Sequence, residues 1–497
     1  MNLIQDRYDT LNYFCTWSTQ CSVQISGRSS GRDSLCEDLV FGKDGMVHLY
    51  PSIRRHLWLV LDDGWDVPYG MTGDDNYRHG RFGSLIVDGE RFPSCTGTPA
   101  ERLAQLSRRV KEHGWRGLGL WICANACGEY WGHFQTPEEQ EHYWRERLRW
   151  CREAGIGYWK VDWGHHDRSA AFRRRLSAWA AEEAPALVVE HSGVVAPFSG
   201  IEDHDDSTEH SGRFADWRDE PMRCAELMRF AQVYRTYDVS AELSVPTTLD
   251  RVQFPLRMAE FTGSPTVLNC EDEPLIGAVL GCAIGIMRSS LPAFGMSPYC
   301  RTAEVIRAIR WQTAFAPAFA PTAEAPTRIS TDILWESFDF RHSGPWLAGY
   351  GSRVTRQGAP RLCARGGELP QVVYPGEETW VISGRHPNGA VSAAVLPRFG
   401  AEGRRSPAAQ ITLKASVHAP VGLFGAIDSA TLRFDESLAG KHIYAQDLAA
   451  NTAVEITDRV TAEGCNLSVD GALLRELCAP LQTKNDDSAP GVVLVVR

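Results

Sequence analysis

The run YWKVDWG (158–164) sets Lys160 and Asp162 two positions apart in an otherwise apolar and aromatic segment. In an extended strand two such residues face the same side. Charge is kept in an enclosed space only where it is paired or used. Other charged groups end other strand-like runs: Asp62 and Asp63 in LDDGW, Glu190 and His191 in VVEHS, Arg235 and Asp238 in YRTYD, and Glu271, Asp272 and Glu273 in LNCEDEP. Carboxylates paired across a pocket suit glycoside cleavage. One attacks the anomeric carbon; the other protonates the leaving oxygen and then deprotonates water. Asp162 is the candidate nucleophile and Asp238 the candidate acid/base. Lys160 would keep Asp162 ionised and donate to sugar hydroxyls. Asp62 and Asp63 would accept from hydroxyls, and Arg235 would donate to them. Trp17 or Trp65 would cover an apolar sugar face, and Trp121 and Glu190 complete the expected substrate-binding set. Asp216 (RFADW), Glu271 and Asp272 are rivals for the acid/base. Structural alternatives stand beside these readings: a βα turn with a helix cap at 62–65, an Arg–Asp pair in YRTYD, and an ion pair at 160 and 162.

These residues need elements to hold them. Strand-like apolar runs recur at 11–19, 56–65, 117–126, 155–164, 185–193, 231–240, 264–274 and 285–295. Stretches with apolar residues at helical spacing separate them, most plainly 99–114, 137–155 and 169–184. Strand–helix alternation repeated about eight times predicts a (β/α)8 TIM barrel over residues 1–320, with active residues at the C-terminal strand ends. A doubly wound sheet would show a Gly-rich phosphate turn after an early strand, and none occurs. The stretch 316–327 is Pro- and Ala-rich and reads as a linker. Short alternating runs follow, so 321–497 is predicted to be a linker and an antiparallel β-sandwich domain. Segments 20–55 and 66–98 should sit over or beside the barrel.

Composition narrows the partners. A formal net charge of -11 argues against nucleic acid and against a polybasic membrane surface. The first residues, MNLIQDRYDTLNYF, lack a basic region followed by an apolar one, and no apolar run reaches membrane-spanning length. A cytoplasmic location is therefore expected, with the fourteen cysteines as reduced thiols. CANAC (123–127) has no matching second pair, which argues against zinc. EDHDDSTEH (202–210) offers oxygen and nitrogen ligands for a divalent cation but reads as a solvated loop. HHD (165–167) could join the pocket or such a site. The expectation is no metal and no cofactor, with a small oligosaccharide or glycoside as partner; homo-oligomer formation stays open.

LDDGW, YWKVD and YRTYD, in this order on strands two, four and six, resemble the alpha-galactosidase (melibiase) clan of retaining glycoside hydrolases. FPS (92–94), NYFCTWSTQ on the first strand, and PNGAVSAAVLPR and IYAQDLA in the second domain are similar to that clan too. The resemblance covers most of the chain. It implies an alpha-galactosidase-like double displacement without metal, with Asp162 as nucleophile and Asp238 as acid/base. Asp62 and Asp63 would hold the 4- and 6-hydroxyls of a galactose-like ring, Lys160 and Arg235 further hydroxyls, and Trp17 would pack near C6. The chain departs from the clan in lacking Met-Gly-Trp on its first strand, and in carrying Glu190-His191-Ser192 on the fifth and LNCEDEP on the seventh. A beta-L-arabinopyranosidase, another related glycosidase or transglycosylase, and a catalytically silent carbohydrate-binding protein are the alternatives.

Overall fold

The computed structural model describes residues 1–22, 31–71, 81–125, 136–193, 201–203, 220–236, 244–287, 301–339, 354–400, 403–479 and 486–497. Eight short parallel strands form the first sheet: β1 (Tyr13–Cys15), β2 (Trp58–Leu61), β3 (Gly117–Ile122), β4 (Tyr158–Val161), β5 (Val188–Ser192), β6 (Val233–Arg235), β7 (Val267–Asn269) and β8 (Gly285–Ile286). β1 pairs with β2 on one side and with β8 on the other, Tyr13 lying opposite both Trp58 and Gly285. A parallel bridge from Asn269 to Ala283 joins β7 to the start of β8 and closes the ring. The result is the (β/α)8 barrel, and each of the eight predicted runs supplies one strand.

Helices lie outside the ring: α1 (Glu37–Phe41), α2 (Pro99–Glu112), α3 (Pro137–Ala154), α4 (Ala170–Glu183), α5 (Glu220–Leu227), α6 (Ser244–Thr262), α7 (Pro274–Leu280) and α8 (Thr302–Ala314). Their limits are written locally. Thr98 with Glu101, and Thr136 with Glu139, form capping boxes ahead of a proline at the start of α2 and α3, satisfying amides that the first turn leaves without partners. Gly155 ends α3 in the left-handed conformation, φ 66°.

Strand parity sorts the side chains. Leu59, Leu61, Leu118, Leu120, Trp159, Val161 and Val189 face the helices and enter the main core. Tyr13, Cys15, Val60, Tyr158 and Met287 face inward and pack together. Between them the ring is tight: a Cβ on Gly119 would stand 2.7 Å from Val60 Cγ2 and 3.0 Å from Tyr158 Cβ. Charge fills the layer above, towards the C-terminal strand ends.

The second half is a β-sandwich. Eight strands, from Thr327–Ile329 to Val454–Glu455 in spatial order, face five strands running from Gln371–Val373 to Thr461–Glu463. Leu423, Leu494, Ile411, Leu432 and Leu467 fill the space between the sheets. On the opposite face of the larger sheet, Ile382, Ala394, Phe424 and Val493 join the barrel's core, and Phe424 meets Trp311 of α8 edge-on at 5.9 Å. Most pairings are antiparallel, as the alternating runs predict. Three are parallel: Leu362–Arg365 with Val381–Arg385, Val391–Val395 with Val421–Gly425, and Ala409–Ala415 with Ile427–Phe434. In each case the chain crosses to the other sheet and returns, and such a crossover brings the next strand back in the same direction. A small sheet links the halves, where Ile201–Asp203 pairs with Val354–Pro360. The twelve described cysteines form no disulfide. No helix among the described residues is long and apolar enough to cross a membrane.

Candidate active site

Asp162, directly after β4, is buried at the C-terminal end of the barrel. Its Oδ2 accepts from Trp121 Nε1 at 3.0 Å and lies 3.2 Å from Arg235 Nη2. Its Oδ1 is 3.2 Å from the Ser192 hydroxyl, which also lies 3.0 Å from the Val161 carbonyl and shares one proton between the two. Trp121 comes from β3 and Ser192 from β5, the strands on either side, and Arg235 from β6 beyond, each inward by parity. The carboxylate is thus fixed by two strand-borne hydrogen-bond donors and one strand-borne cation rather than by a loop.

Lys160 does not pair with Asp162. Its Nζ reaches Asp62 Oδ2 at 2.8 Å, Glu271 Oε1 at 3.7 Å and Cys15 Sγ at 3.5 Å. Two residues along a strand span about 6.6 Å, so Lys160 meets the layer below, and Arg235 supplies the cation at Asp162. Burial and the neighbouring guanidinium of Arg235 disfavour the Lys160 ammonium. The carboxylates of Asp62 and Glu271 outweigh both and raise its pKa above the usual lysine value.

Arg235 is fully buried and, among the described residues, serves three carboxylates. Nη1 lies 2.9 Å from Glu271 Oε2, Nη2 3.2 Å from Asp162 Oδ2 and Nε 3.3 Å from Glu190 Oε1. Glu190 sits at the barrel's centre, accepting from the Tyr158 hydroxyl at 2.8 Å and Asn269 Nδ2 at 2.5 Å, with the Tyr13 hydroxyl at 3.2 Å. Burial raises its pKa; Arg235, Asn269, Tyr158 and Lys160 oppose that rise without cancelling it. Arg235 and Glu190 thus form the floor under Asp162, where the sequence reading placed them as direct contacts for sugar hydroxyls.

Asp62 and Asp63 follow β2, and their side chains have different partners. Asp62 faces Lys160 and Cys15, whose Sγ is 2.9 Å from Oδ2. Asp63 is held by a fork from Arg32, Nε to Oδ1 at 2.8 Å and Nη2 to Oδ2 at 2.7 Å. Burial raises the pKa of Asp63 against the pull of Arg32. Arg32 also lies over the Phe82 ring at 4.7 Å. Arg91 stabilises this arrangement by donating to the carbonyls of Arg32 and Leu35 and to Asp33 Oδ1. Gly64 must be glycine here: its φ is 125°, and a Cβ would lie 2.6 Å from the Arg32 carbonyl oxygen.

Of the aromatic candidates, Trp65 is wholly buried in the core and donates to the Trp121 carbonyl at 2.9 Å. It wedges β2 against β3 and offers no face to a sugar. Trp17 opens a short helix, Trp17–Ser22, after β1 and is partly buried against the inward cluster. Trp163 follows Asp162 and is half-buried against Phe82 and Trp121, with ring centroids 5.6 and 5.5 Å away. Sequence reasoning passed over Trp163 although it neighbours the candidate nucleophile.

It also passed over Arg173. From α4 its buried guanidinium donates to the carbonyls of Val161 (3.0 Å) and Asp162 (2.8 Å), holding the end of β4 from behind. Burial lowers its pKa to about 10. His191 points the same way, its Nδ1 3.3 Å from Arg173 and its Nε2 2.7 Å from the Ser177 hydroxyl. Burial, with Arg173 beside it, holds this imidazole well below the usual histidine range.

Asp238, Asp216 and residues 204–210 lie outside the described residues. Asp272 is described: it takes a left-handed φ of 62°, and its Oδ1 accepts from the Met287 amide at 3.0 Å. His166 stacks on Phe172 at 4.9 Å, and burial lowers its pKa to about 4. Among the described residues no cluster of three metal-ligating side chains occurs.

No family model and no curated protein matches the sequence. Solved structures resemble the chain along its length. A GH27 beta-L-arabinopyranosidase from Geobacillus stearothermophilus is 10% identical, with a TM-score of 0.46, over 98% of this chain and 96% of that one. A candidate alpha-N-acetylgalactosaminidase from Bacillus halodurans is 12% identical, with a TM-score of 0.42, over 99% of each chain. A candidate alpha-galactosidase from Bacteroides fragilis is 11% identical, with a TM-score of 0.40, over 100% and 79%. At such scores the likeness adds nothing to the strand topology, which establishes the barrel by itself.

Proposed function

We propose that the chain is a retaining exo-glycoside hydrolase acting on small glycosides with an alpha-galactoside-like or beta-L-arabinopyranoside-like terminal sugar. The observation that carries this reading is Asp162: a buried carboxylate at a barrel strand end, held by Trp121, Ser192 and Arg235. Oδ2 takes the Trp121 hydrogen bond and the ion-pair contact with Arg235, and Oδ1 shares one donor, so Oδ1 is the oxygen assigned to attack. Its lone pair forms the bond to the anomeric carbon as the glycosidic C–O bond breaks. Asp238, three residues beyond Arg235 in the sequence, protonates the departing oxygen. Water then attacks the same carbon, losing its proton to Asp238 and releasing Asp162. Asp62, with Lys160 beside it, and Asp63, with Arg32 beside it, receive the ring hydroxyls. Trp17 and Trp163 cover the sugar's apolar edge. No step draws on a cofactor.

The test is a panel of aryl glycosides (alpha-galactoside, beta-L-arabinopyranoside, alpha-N-acetylgalactosaminide, alpha-glucoside) with wild type and Asp162→Ala. One sugar should be turned over by wild type and not by the variant. A 2-deoxy-2-fluoro glycosyl fluoride of that sugar should leave one glycosyl mass on Asp162. Turnover that survives Asp162→Ala, or no turnover and no adduct with any of the sugars, would sink the reading. Product analysis with an added acceptor sugar separates hydrolysis from transfer.

A further inference from the structure

A second cleft lies in the sandwich, away from the barrel mouth. It has a volume of about 560 Å³ and opens where the two sheets part. The larger sheet contributes Ser383 and Arg385, the smaller one Thr412, Lys414 and Arg433, and the connection before the first sandwich strand contributes Glu324. Topology sets its distance from the candidate active site. α7 starts at the C-terminal end of β7 and runs back along the barrel, so Val279 and Leu280 mark the opposite face. The cleft sits against that face: Arg365 donates to the Leu280 carbonyl at 2.7 Å, and a Cβ on Gly384 would stand 2.0 Å from the Val279 carbonyl oxygen.

Its charge is unlike that of the rest of the chain. Four cations (Arg328, Arg385, Lys414 and Arg433) line it against two carboxylates, Glu324 and Glu368, in a protein whose net charge is -11. Lys414 pairs with Glu368 at 2.8 Å, so the charge in excess is that of the three arginines. Elsewhere in the sandwich, Arg361, Arg398, Arg405 and Arg459 each sit on a carboxylate. Here Arg328 and Arg385 are anchored on neutral carbonyls, those of Gly367 at 2.7 Å and Lys414 at 3.1 Å. Among the described residues no carboxylate lies within ion-pair distance of Arg328, Arg385 or Arg433. A guanidinium anchored on a carbonyl keeps its charge and its remaining N–H groups for another partner. No aromatic ring lines the cleft, so the stacking surface that a neutral sugar uses is missing. The Ser383 and Thr412 hydroxyls are neutral hydrogen-bonding groups beside the cations.

We propose that this cleft binds an organic oxyanion the size of one or two sugar rings, bearing carboxylate, sulfate or phosphate groups. The volume suits such a ligand, and the unpaired guanidiniums supply forked recognition of oxyanions. The site is independent of the glycosidase reading.

The test is calorimetric titration of the full chain at low salt with digalacturonate, inorganic phosphate and neutral digalactoside, repeated on Arg328→Ala/Arg433→Ala. Both arginines are exposed and outside the barrel, so the variant should fold and keep any glycosidase activity. Digalacturonate should bind at least ten-fold more weakly to the variant, and more weakly still as salt rises. Phosphate matching digalacturonate would assign the cleft to small free oxyanions; digalacturonate alone would assign it to acidic saccharides. Equal binding by wild type and variant, neutral digalactoside matching digalacturonate, or no binding of either anion would overturn the proposal.

Discussion

Two buried arginines, one at the barrel's centre and one at its seam with the sandwich, handle charge in opposite ways. At the seam, Arg307 of α8 forks onto Asp447, with contacts of 2.8 and 2.9 Å, and its remaining nitrogen meets the Ala489 carbonyl at 2.8 Å. One cation faces one anion and all three guanidinium nitrogens are used. At the barrel's centre, Arg235 divides its nitrogens among Asp162, Glu190 and Glu271, forking onto none of them. Lys160 adds a second cation, shared between Asp62 and Glu271. A closed pair has no capacity left for a ligand. A hub with more carboxylates than cations keeps negative charge available for chemistry. Burying ions costs several kcal/mol each, and at the seam a fixed geometry is all that results.

The sharpest test of the difference is Asp162→Ala. Under the glycosidase reading, kcat should fall on the order of 10⁴-fold, while the melting temperature holds or rises because one buried anion has gone. A matching loss of activity from Asp447→Ala, in a variant that stays folded, would erase the distinction.

Arg307→Met should destabilise the fold by about 3–5 kcal/mol, leaving Asp447 buried and unpaired, and Arg307→Met/Asp447→Leu should recover most of that. Chemical denaturation reads both. The same exchange at the hub, Arg235→Met/Glu271→Gln, should restore stability in part and activity not at all.

Arg173→Met removes the donor from two carbonyls behind Asp162. A drop of about 10–100-fold in kcat, with KM little changed, is expected from misplacing a reacting group, and Arg173→Lys should restore part of it. A change in KM alone would mean that Arg173 shapes binding rather than the nucleophile.

Asp66 gives the smallest effect. It is buried after β2, and its Oδ2 accepts from the Gly83 amide at 2.9 Å. Burial is the largest influence on it and raises its pKa to about 7, against about 3.9 in an unfolded chain. Between those values the folded state holds the extra proton. Stability is therefore lost as pH rises from about 4 to about 7 and stays lower above that. Asp66→Asn should melt a few degrees higher than wild type near pH 8 and lose that advantage near pH 4. An advantage independent of pH would show that the carboxyl titrates alike in the folded and unfolded chain.

Much of the site can be read from strand parity. Lys160, Asp162, Glu190 and Arg235 face inward because they alternate with Trp159, Val161, Val189 and Tyr234, which enter the helix-facing core. The same rule points to Tyr13, Tyr158 and Ser192, which the motif reading left out. Parity does not say which inward charge meets which. The pairing of Lys160 with Asp62, rather than with Asp162, depends on the stagger between strands. Trp65 looked like a sugar platform because it follows Asp63, but burial beside β3 turns it into a wedge. Arg32 and Arg173 reach the site from outside the strands, and nothing in their neighbouring residues announces it.

The sequence alone determined the alternation of strands and helices, the capping boxes of α2 and α3, the order of the eight strands and the inward face of each. These are local properties, set by periodicity and by the needs of backbone amides at helix ends. The tertiary structure decided the rest: that Arg235 is shared among Asp162, Glu190 and Glu271, that Arg32 holds Asp63, and that arginines without a carboxylate partner among the described residues gather where the sandwich opens. Each of these joins segments distant along the chain, and electrostatic energy depends on separation in space and on burial, which residue order does not encode.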